Sequence, residues 1–223
     1  MYLEDNRTRV KVCGITRLED ARFASGALVD YLGFIFVEES PRYVTPEDAG
    51  EIIGWVEGPK CVGVFANKKP GEINAIALDS GIHYVQLHGD ETPEDCFNIN
   101  LPVIKAFRIK SGMSQNEIIE MIKPYRDVVD FFLFDTWHES QLGGTGKSFD
   151  WSVLDGLNED YPFFLAGGIS PENAKEAVMA AKPYALDVSS SLETEPGKKD
   201  FDRIQDLMDE MQDIWDMIED GEI

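Results

Sequence analysis

The stretch "VKVCGITRLEDARFASGALVDYLGFIFV", Val10–Val37, contains one whole repeat of the fold. Val10–Cys13 is a short apolar run that ends on a cysteine, and Gly14 allows an immediate turn. Thr16 followed three residues later by Glu19 reads as a capping box that opens the helical stretch "RLEDARFASGA". Tyr31–Val37 is a second apolar run, aromatic and β-branched, with the length of a strand. Two strands joined by a helix run parallel. Cys13 therefore stands where a strand hands over to a helix. Cysteine packs well in cores, so the position suits either a filler or a reactive group.

The unit recurs along the chain. Eight apolar runs read as strands: Val10–Cys13, Tyr31–Val37, Cys61–Phe65, His83–Leu87, Val103–Phe107, Val128–Phe134, Phe163–Ala166 and Ala185–Val188. Thr45-Pro46, Thr92-Pro93 and Ser170-Pro171 open intervening helices with proline at the first helical position. A last helix starts near Asp200, with Phe201, Ile204, Met208, Met211, Trp215 and Ile218 on one apolar face. Strands that are apolar on both faces and separated by helices belong to a parallel sheet covered by helices. An open doubly wound sheet usually carries a glycine-rich nucleotide loop after its first strand, and "CGIT" is not one. Eight units in 223 residues fit a compact (β/α)8 barrel, read as a single domain over 1–223.

Composition narrows the function. No apolar run approaches the roughly 18–20 residues needed to span a bilayer, and the start "MYLEDNRTRV" lacks a signal-peptide pattern. The expectation is a cytoplasmic protein with no membrane partner. Three cysteines without a CxxC and three histidines without metal-ligand spacing predict neither a disulfide framework nor a metal site. The formal charge of −22 and the lack of a basic run longer than a lysine pair such as Lys68-Lys69 argue against a nucleic-acid partner. The acidity itself reads as solubility, or as adaptation to a salty cytoplasm.

In such barrels the chemistry sits at the C-terminal strand ends. Cys13 closes strand 1, Arg42 follows strand 2, Gln86 and His88 close strand 4, and Asp135 closes strand 6. Gly167-Gly168 follow strand 7 and Ser189-Ser190 follow strand 8, the loops that commonly bind phosphate in this fold. "LGGTGKSF" adds bare backbone at Gly144 and Gly146. Together these predict a phosphorylated small-molecule substrate. Asp135 reads as a helix cap or as a general acid or base, and Arg42 as a solvated arginine or a fork for a carboxylate. His88 reads as a core histidine or a residue of the mouth. Residues two apart on a strand share a face. If Cys13 points into the mouth, Lys11 points into the barrel, where its ammonium needs a partner. Strand 8 lies beside strand 1 in a closed barrel, so Asp187 is the expected partner. An ammonium there would also favour the Cys13 thiolate.

Read in order, "VKVCGIT", "DYLGFIF", "SPRYV", "VGVFAN", "VQLHGDE", "FLFDT", "GGTGKSFDW", "LAGGISPEN" and "DVSSSLE" with "PGKKD" resemble the phosphoribosylanthranilate isomerase family of tryptophan biosynthesis. The resemblance covers nearly the whole chain. It implies a (β/α)8 TIM barrel that performs an Amadori rearrangement of N-(5-phosphoribosyl)anthranilate without cofactor or metal. Monomer and homodimer both stay open as expectations. It assigns Cys13 as general base, Asp135 as general acid and Arg42 to the anthranilate carboxylate. Gly167, Gly168, Ser189 and Ser190, with the "GGTG" loop, map to the phosphate site. The family's D-V-S-S-G pattern has Ser191 here in place of glycine, which fits only a negative φ. Two rivals remain: another phosphosugar isomerase or epimerase barrel, and a non-catalytic barrel that binds a phosphorylated ligand. The paired half-barrel aspartates of one such rival have no counterpart, since strand 1 ends in cysteine and strand 5 in "KAF".

Overall fold

Each apolar run becomes a strand covered on both faces, one by the barrel interior and the other by helices. A computed structural model describes residues 7–136 and 149–221. In it β1 (Arg9–Cys13), β2 (Tyr31–Ile35), β3 (Lys60–Phe65), β4 (Tyr84–Leu87), β5 (Val103–Ile109), β6 (Phe131–Thr136), β7 (Phe163–Leu165) and β8 (Ala185–Val188) close in chain order. Every neighbouring pair is parallel, and β1 meets β8 to complete the ring. β6 begins at Phe131 rather than Val128, whose N–H is held in a turn by the Tyr125 carbonyl.

The alternation of side chains sorts the core into two parts. Tyr31, Val62, Ile104, Ala106, Phe131, Leu133, Phe164 and Ala185 fill the barrel interior. Val10, Val12, Leu32, Phe34, Phe65, Val85, Phe134, Leu165 and Leu186 face the helices. Phe34, Phe65, Phe134, Phe163 and Phe164 are fully buried. Each contributes on the order of 1.5–3 kcal/mol of burial free energy, so the aromatic layers are the main support of the strand ends above them.

The helices are α1 (Leu18–Gly26), α2 (Pro46–Ile53), α3 (Pro70–Ser80), α4 (Pro93–Phe97), α5 (Gln115–Ile122), α6 (Ala174–Ala181) and α7 (Phe201–Glu219). Thr45 caps α2, and Thr92 and Asp95 form a reciprocal capping box at α4. The box expected at Thr16 does not form. α1 starts at Leu18 after Arg17, and the Thr16 hydroxyl instead donates to the Gly197 carbonyl at 2.5 Å. Between β6 and β7, where the repeat predicts a full helix, the described residues form only two 3-10 turns, Trp151–Leu154 and Leu157–Glu159. Trp151, Leu154 and Leu157 still bury, so they supply the apolar cover that a helix would have given.

α7 is capped by Asp200, whose carboxylate accepts from the N–H groups of Asp202 and Arg203. Ile204, Leu207, Met208, Met211 and Ile214 form its buried face. Phe201 stacks on Phe23 of α1 at 4.4 Å, joining the last helix to the first. Between β8 and α7 lies a small antiparallel hairpin, β9 (Glu193–Glu195) and β10 (Lys198–Lys199), that the sequence pattern did not announce. Pro196-Gly197 turns it, with Gly197 at φ +84°, and Lys199 comes to lie opposite Glu193.

Candidate active site

The inward faces of the strands converge on one end of the barrel. Cys13 is buried at the end of β1, directly opposite Gly33 of β2. A Cβ on Gly33 would lie 2.7 Å from Cys13 Sγ and 3.1 Å from its Cα, so only glycine leaves the thiol its place. Below it, Lys11 is completely buried and its Nζ donates to Asp187 Oδ1 at 2.8 Å. This is the ion pair expected from strand alternation, and the β1–β8 register aligns the two residues. Burial works against the Lys11 ammonium, but Asp187 and then Cys13 outweigh it and hold its pKa above the ordinary value.

The expected activation of the thiol by Lys11 is outweighed in the free protein. Burial pushes the Cys13 thiol up; Lys11 and Lys199 pull it down, while Asp187 pushes it up again. The lysine charge is already shared with a carboxylate, and the site is too dry for the remainder to win. The balance leaves the thiol above its ordinary pKa in the free protein.

Above Cys13 a second ionic group closes the site. The Arg42 guanidinium donates to Glu193 through Nε at 2.9 Å and through a terminal nitrogen at 2.6 Å. Glu193 also accepts from Lys199 Nζ at 2.9 Å. Burial opposes the Glu193 carboxylate, yet Arg42 and Lys199 together hold its pKa below the usual range. Arg42 lies against Gly14, where φ is +84° and a Cβ would meet Arg42 Cδ at 2.7 Å. Arg42, read from sequence as a free fork, thus has one edge engaged by Glu193. Its remaining nitrogen edge is the one available to a ligand carboxylate without rearrangement.

Asp135 projects from the inward face of β6, three strands from β1 around the ring. His88 Nε2 lies 3.5 Å from its Oδ2. His88 Nδ1 lies 3.3 Å from Gln86 Nε2, and Gln86 is buried. Gly167, at φ +87°, packs so closely that a Cβ would sit 2.6 Å from Asp135 Oδ1 and 2.4 Å from the Thr136 nitrogen. Gln86, His88 and Asp135 therefore form one polar edge of the mouth. Beside it opens a cavity of about 470 Å³ whose lining includes His88, Glu91, Lys105, Arg108 and Tyr125.

Gly168 follows Gly167 at φ +78° with open space before it, which leaves its backbone accessible. The Ser189 hydroxyl donates to the Cys13 carbonyl at 3.1 Å, so it braces the strand end as well as bordering the mouth. Ser190 is exposed. Ser191 lies outside the positive-φ region, and its hydroxyl donates to the Ile169 carbonyl at 2.6 Å. The serine in place of glycine is thus unstrained and ties the loop after β8 to the loop after β7. Gly144 and Gly146 lie outside the described residues.

A family model described as N-(5'phosphoribosyl)anthranilate (PRA) isomerase matches residues 10–210. The chain belongs to this isomerase family. The N-(5'-phosphoribosyl)anthranilate isomerase of Geobacter sulfurreducens is 45% identical over 201 residues, covering 90% of this chain and 96% of that protein. The crystal structure of phosphoribosyl anthranilate isomerase from Thermotoga maritima matches with a TM-score of 0.83 at 38% identity, covering 92% of this chain and 99% of that one. A phosphoribosyl anthranilate isomerase in complex with reduced 1-(o-carboxyphenylamino)-1-deoxyribulose 5-phosphate matches at TM-score 0.80 and 36% identity, covering 92% and 99%.

Within this isomerase barrel, sequence reasoning passed over Glu193 and Lys199. Both stand in the quoted "LE" and "PGKKD" segments, but hairpin pairing places them and no local period marks them. Lys199 is one of an adjacent lysine pair, and only the hairpin decides that it turns inward while Lys198 stays exposed. Lys105 was also missed. It pairs with buried Glu91 at 3.0 Å and donates to the Gly89 carbonyl at 2.8 Å, fixing the loop after β4 that carries His88.

Proposed function

We propose that this chain catalyses the Amadori rearrangement of N-(5-phosphoribosyl)anthranilate to 1-(2-carboxyphenylamino)-1-deoxyribulose 5-phosphate, as an isomerase of tryptophan biosynthesis. The observation that carries the reading is the placement of two proton-transfer groups, Cys13 and Asp135, on inward strand ends at one mouth of the barrel, within a chain of this family. Asp135 gives its proton to the furanose ring oxygen as the C1–O bond breaks, and the ring opens to a Schiff base. Cys13 as thiolate then takes the proton from sugar C2. The electron pair released forms the enolamine, which tautomerises to the ketone. The oxidation at C2 is balanced by the reduction at C1, so the rearrangement requires no external oxidant.

Arg42 recognises the anthranilate carboxylate. The backbone of Gly167 and Gly168, with Ser189, Ser190 and the segment of Gly144 and Gly146, receives the phosphate. His88 and Gln86 line the sugar beside Asp135. Among the described residues no helix is long and apolar enough to cross a membrane. A cytoplasmic location is proposed from the tryptophan-pathway reading. The Thermotoga maritima relative is dimeric; a monomer or a homodimer is proposed here. The test is isomerase activity on freshly generated phosphoribosylanthranilate, followed by loss of anthranilate-type fluorescence. Cys13→Ser and Asp135→Asn should each lower turnover by at least about a hundredfold. Absence of turnover in folded wild-type protein would overturn the reading.

A further inference from the structure

Lys199 is a buried lysine whose side chain is entirely out of solvent, yet it holds nothing in the hydrophobic core. Its Nζ donates to the Cys13 carbonyl at 2.6 Å, to the Ser189 carbonyl at 3.2 Å and to Glu193 at 2.9 Å. All three acceptors border the active mouth. A neutral donor would satisfy the two carbonyls without the several kcal/mol needed to bury an ion. The charge therefore calls for an explanation beyond closing a loop.

The neighbourhood supplies one. Charged groups face this point from every packed element: Lys11 on β1, Asp187 on β8, Arg42 after β2, Glu193 on β9, and Asp20 on α1, which accepts the Lys199 backbone N–H at 3.1 Å. Lys198 turns away to exposed Glu195. Lys11 is matched by Asp187, while Glu193 is shared between Arg42 and Lys199. One carboxylate thus serves two cations beside a thiol that must become an anion. Burial keeps Lys199 below its ordinary pKa and only in part is this offset by Glu193, so its charge is poorly compensated at rest.

We propose that Lys199 is a positioning residue for Cys13, fixing the end of β1 through the Cys13 carbonyl and supplying the positive charge that the thiolate needs. The inference rests on Cys13 being the base. Through Glu193 the same ammonium is linked to Arg42, so the carboxylate-binding and proton-abstracting ends of the site share one ionic group.

The test reads the thiol directly. The rate of Cys13 alkylation by iodoacetamide is followed against pH by peptide mass spectrometry, with Cys61 and Cys96, both almost wholly buried, as internal references. In Lys199→Met the alkylation midpoint should rise by about one pH unit, and kcat should fall at least tenfold with KM changed less than about threefold. Lys199→Arg should restore most of both. Should Lys199→Met not fold, Glu193→Gln provides the opposite perturbation, and its midpoint should move down as both cations are released. An unmoved Cys13 midpoint in folded Lys199→Met, or in Glu193→Gln, overturns the proposal. Isomerase activity surviving in Cys13→Ser would instead refute the assignment of the base, and the alkylation profile separates the two failures.

Discussion

Removing Asp187 should leave the Lys11 ammonium stranded in the barrel. Two unit charges 2.8 Å apart attract by roughly 6 kcal/mol at an effective dielectric of about 20. Desolvation of both groups offsets much of that attraction, so the pair as a whole contributes little net stability. Breaking it is another matter, because Lys11 is fully buried and Asp187 is the carboxylate that pairs with its ammonium. Asp187→Leu and Lys11→Met should each cost ~3–5 kcal/mol, the usual penalty for an uncompensated buried charge. For a chain of this size that corresponds to a melting temperature lower by about 10 °C. The double variant Lys11→Met/Asp187→Leu should recover most of the loss, since two apolar side chains can pack where the ion pair stood. Urea titrations of wild type, both singles and the double complete the thermodynamic cycle. The reasoning fails if Asp187→Leu costs less than about 1 kcal/mol, or if the double variant is as unstable as the sum of the singles.

Two further outcomes follow from close packing and burial. Gly33→Ala would press a methyl group on Cys13 Sγ at 2.7 Å and on Cys13 Cα at 3.1 Å, and a backbone atom cannot swing aside. It should lower kcat at least tenfold and stability by about 1–3 kcal/mol, checked by steady-state kinetics and urea melts; wild-type kinetics in a folded variant would contradict this packing. Burial pushes the Cys61 thiol up to about 12 and the Cys96 thiol up to about 11. Between pH ~8.5 and those values the unfolded chain releases protons that the folded chain keeps, so the unfolded state binds fewer protons. Stability is therefore intact below about pH 8.5 and falls as pH rises, by up to ~1.4 kcal/mol per pH unit for each thiol. Urea midpoints from pH ~7 to ~10.5 would show this slope, and Cys61→Ala/Cys96→Ala should make it shallower while the share of Cys13 remains; an identical slope in that variant would count against these two thiols as a source.

The alternation of short apolar runs and capped helices determined the barrel, because a strand covered on both faces must be apolar throughout and a parallel neighbour must be reached through a crossover. The same two-residue period put Lys11 and Cys13 on one inward face, and strand order then named Asp187 as the partner. Cys13, Asp135, Arg42, His88 and the Gly167-Gly168 pair were all legible as strand-end residues. The departures lie where no local period exists. Thr16 had the spacing of a capping box, but a distant carbonyl at Gly197 competes for its hydroxyl. The segment between β6 and β7 had room for a helix, yet Trp151, Leu154 and Leu157 bury from short 3-10 turns instead.

What only the tertiary structure decided is the electrostatic state of the site. Arg42 and Glu193 are 151 residues apart, and Lys199 lies 186 residues from the carbonyl it holds. No sequence pattern encodes such meetings; barrel closure and the β9–β10 hairpin create them. The ionisation of Cys13 was likewise beyond sequence. A lysine two residues away promised a ready thiolate, but that promise depends on how much water reaches the thiol and which carboxylate already faces the lysine. Composition sets which charges exist, and folding sets which of them meet and how dry the meeting place is.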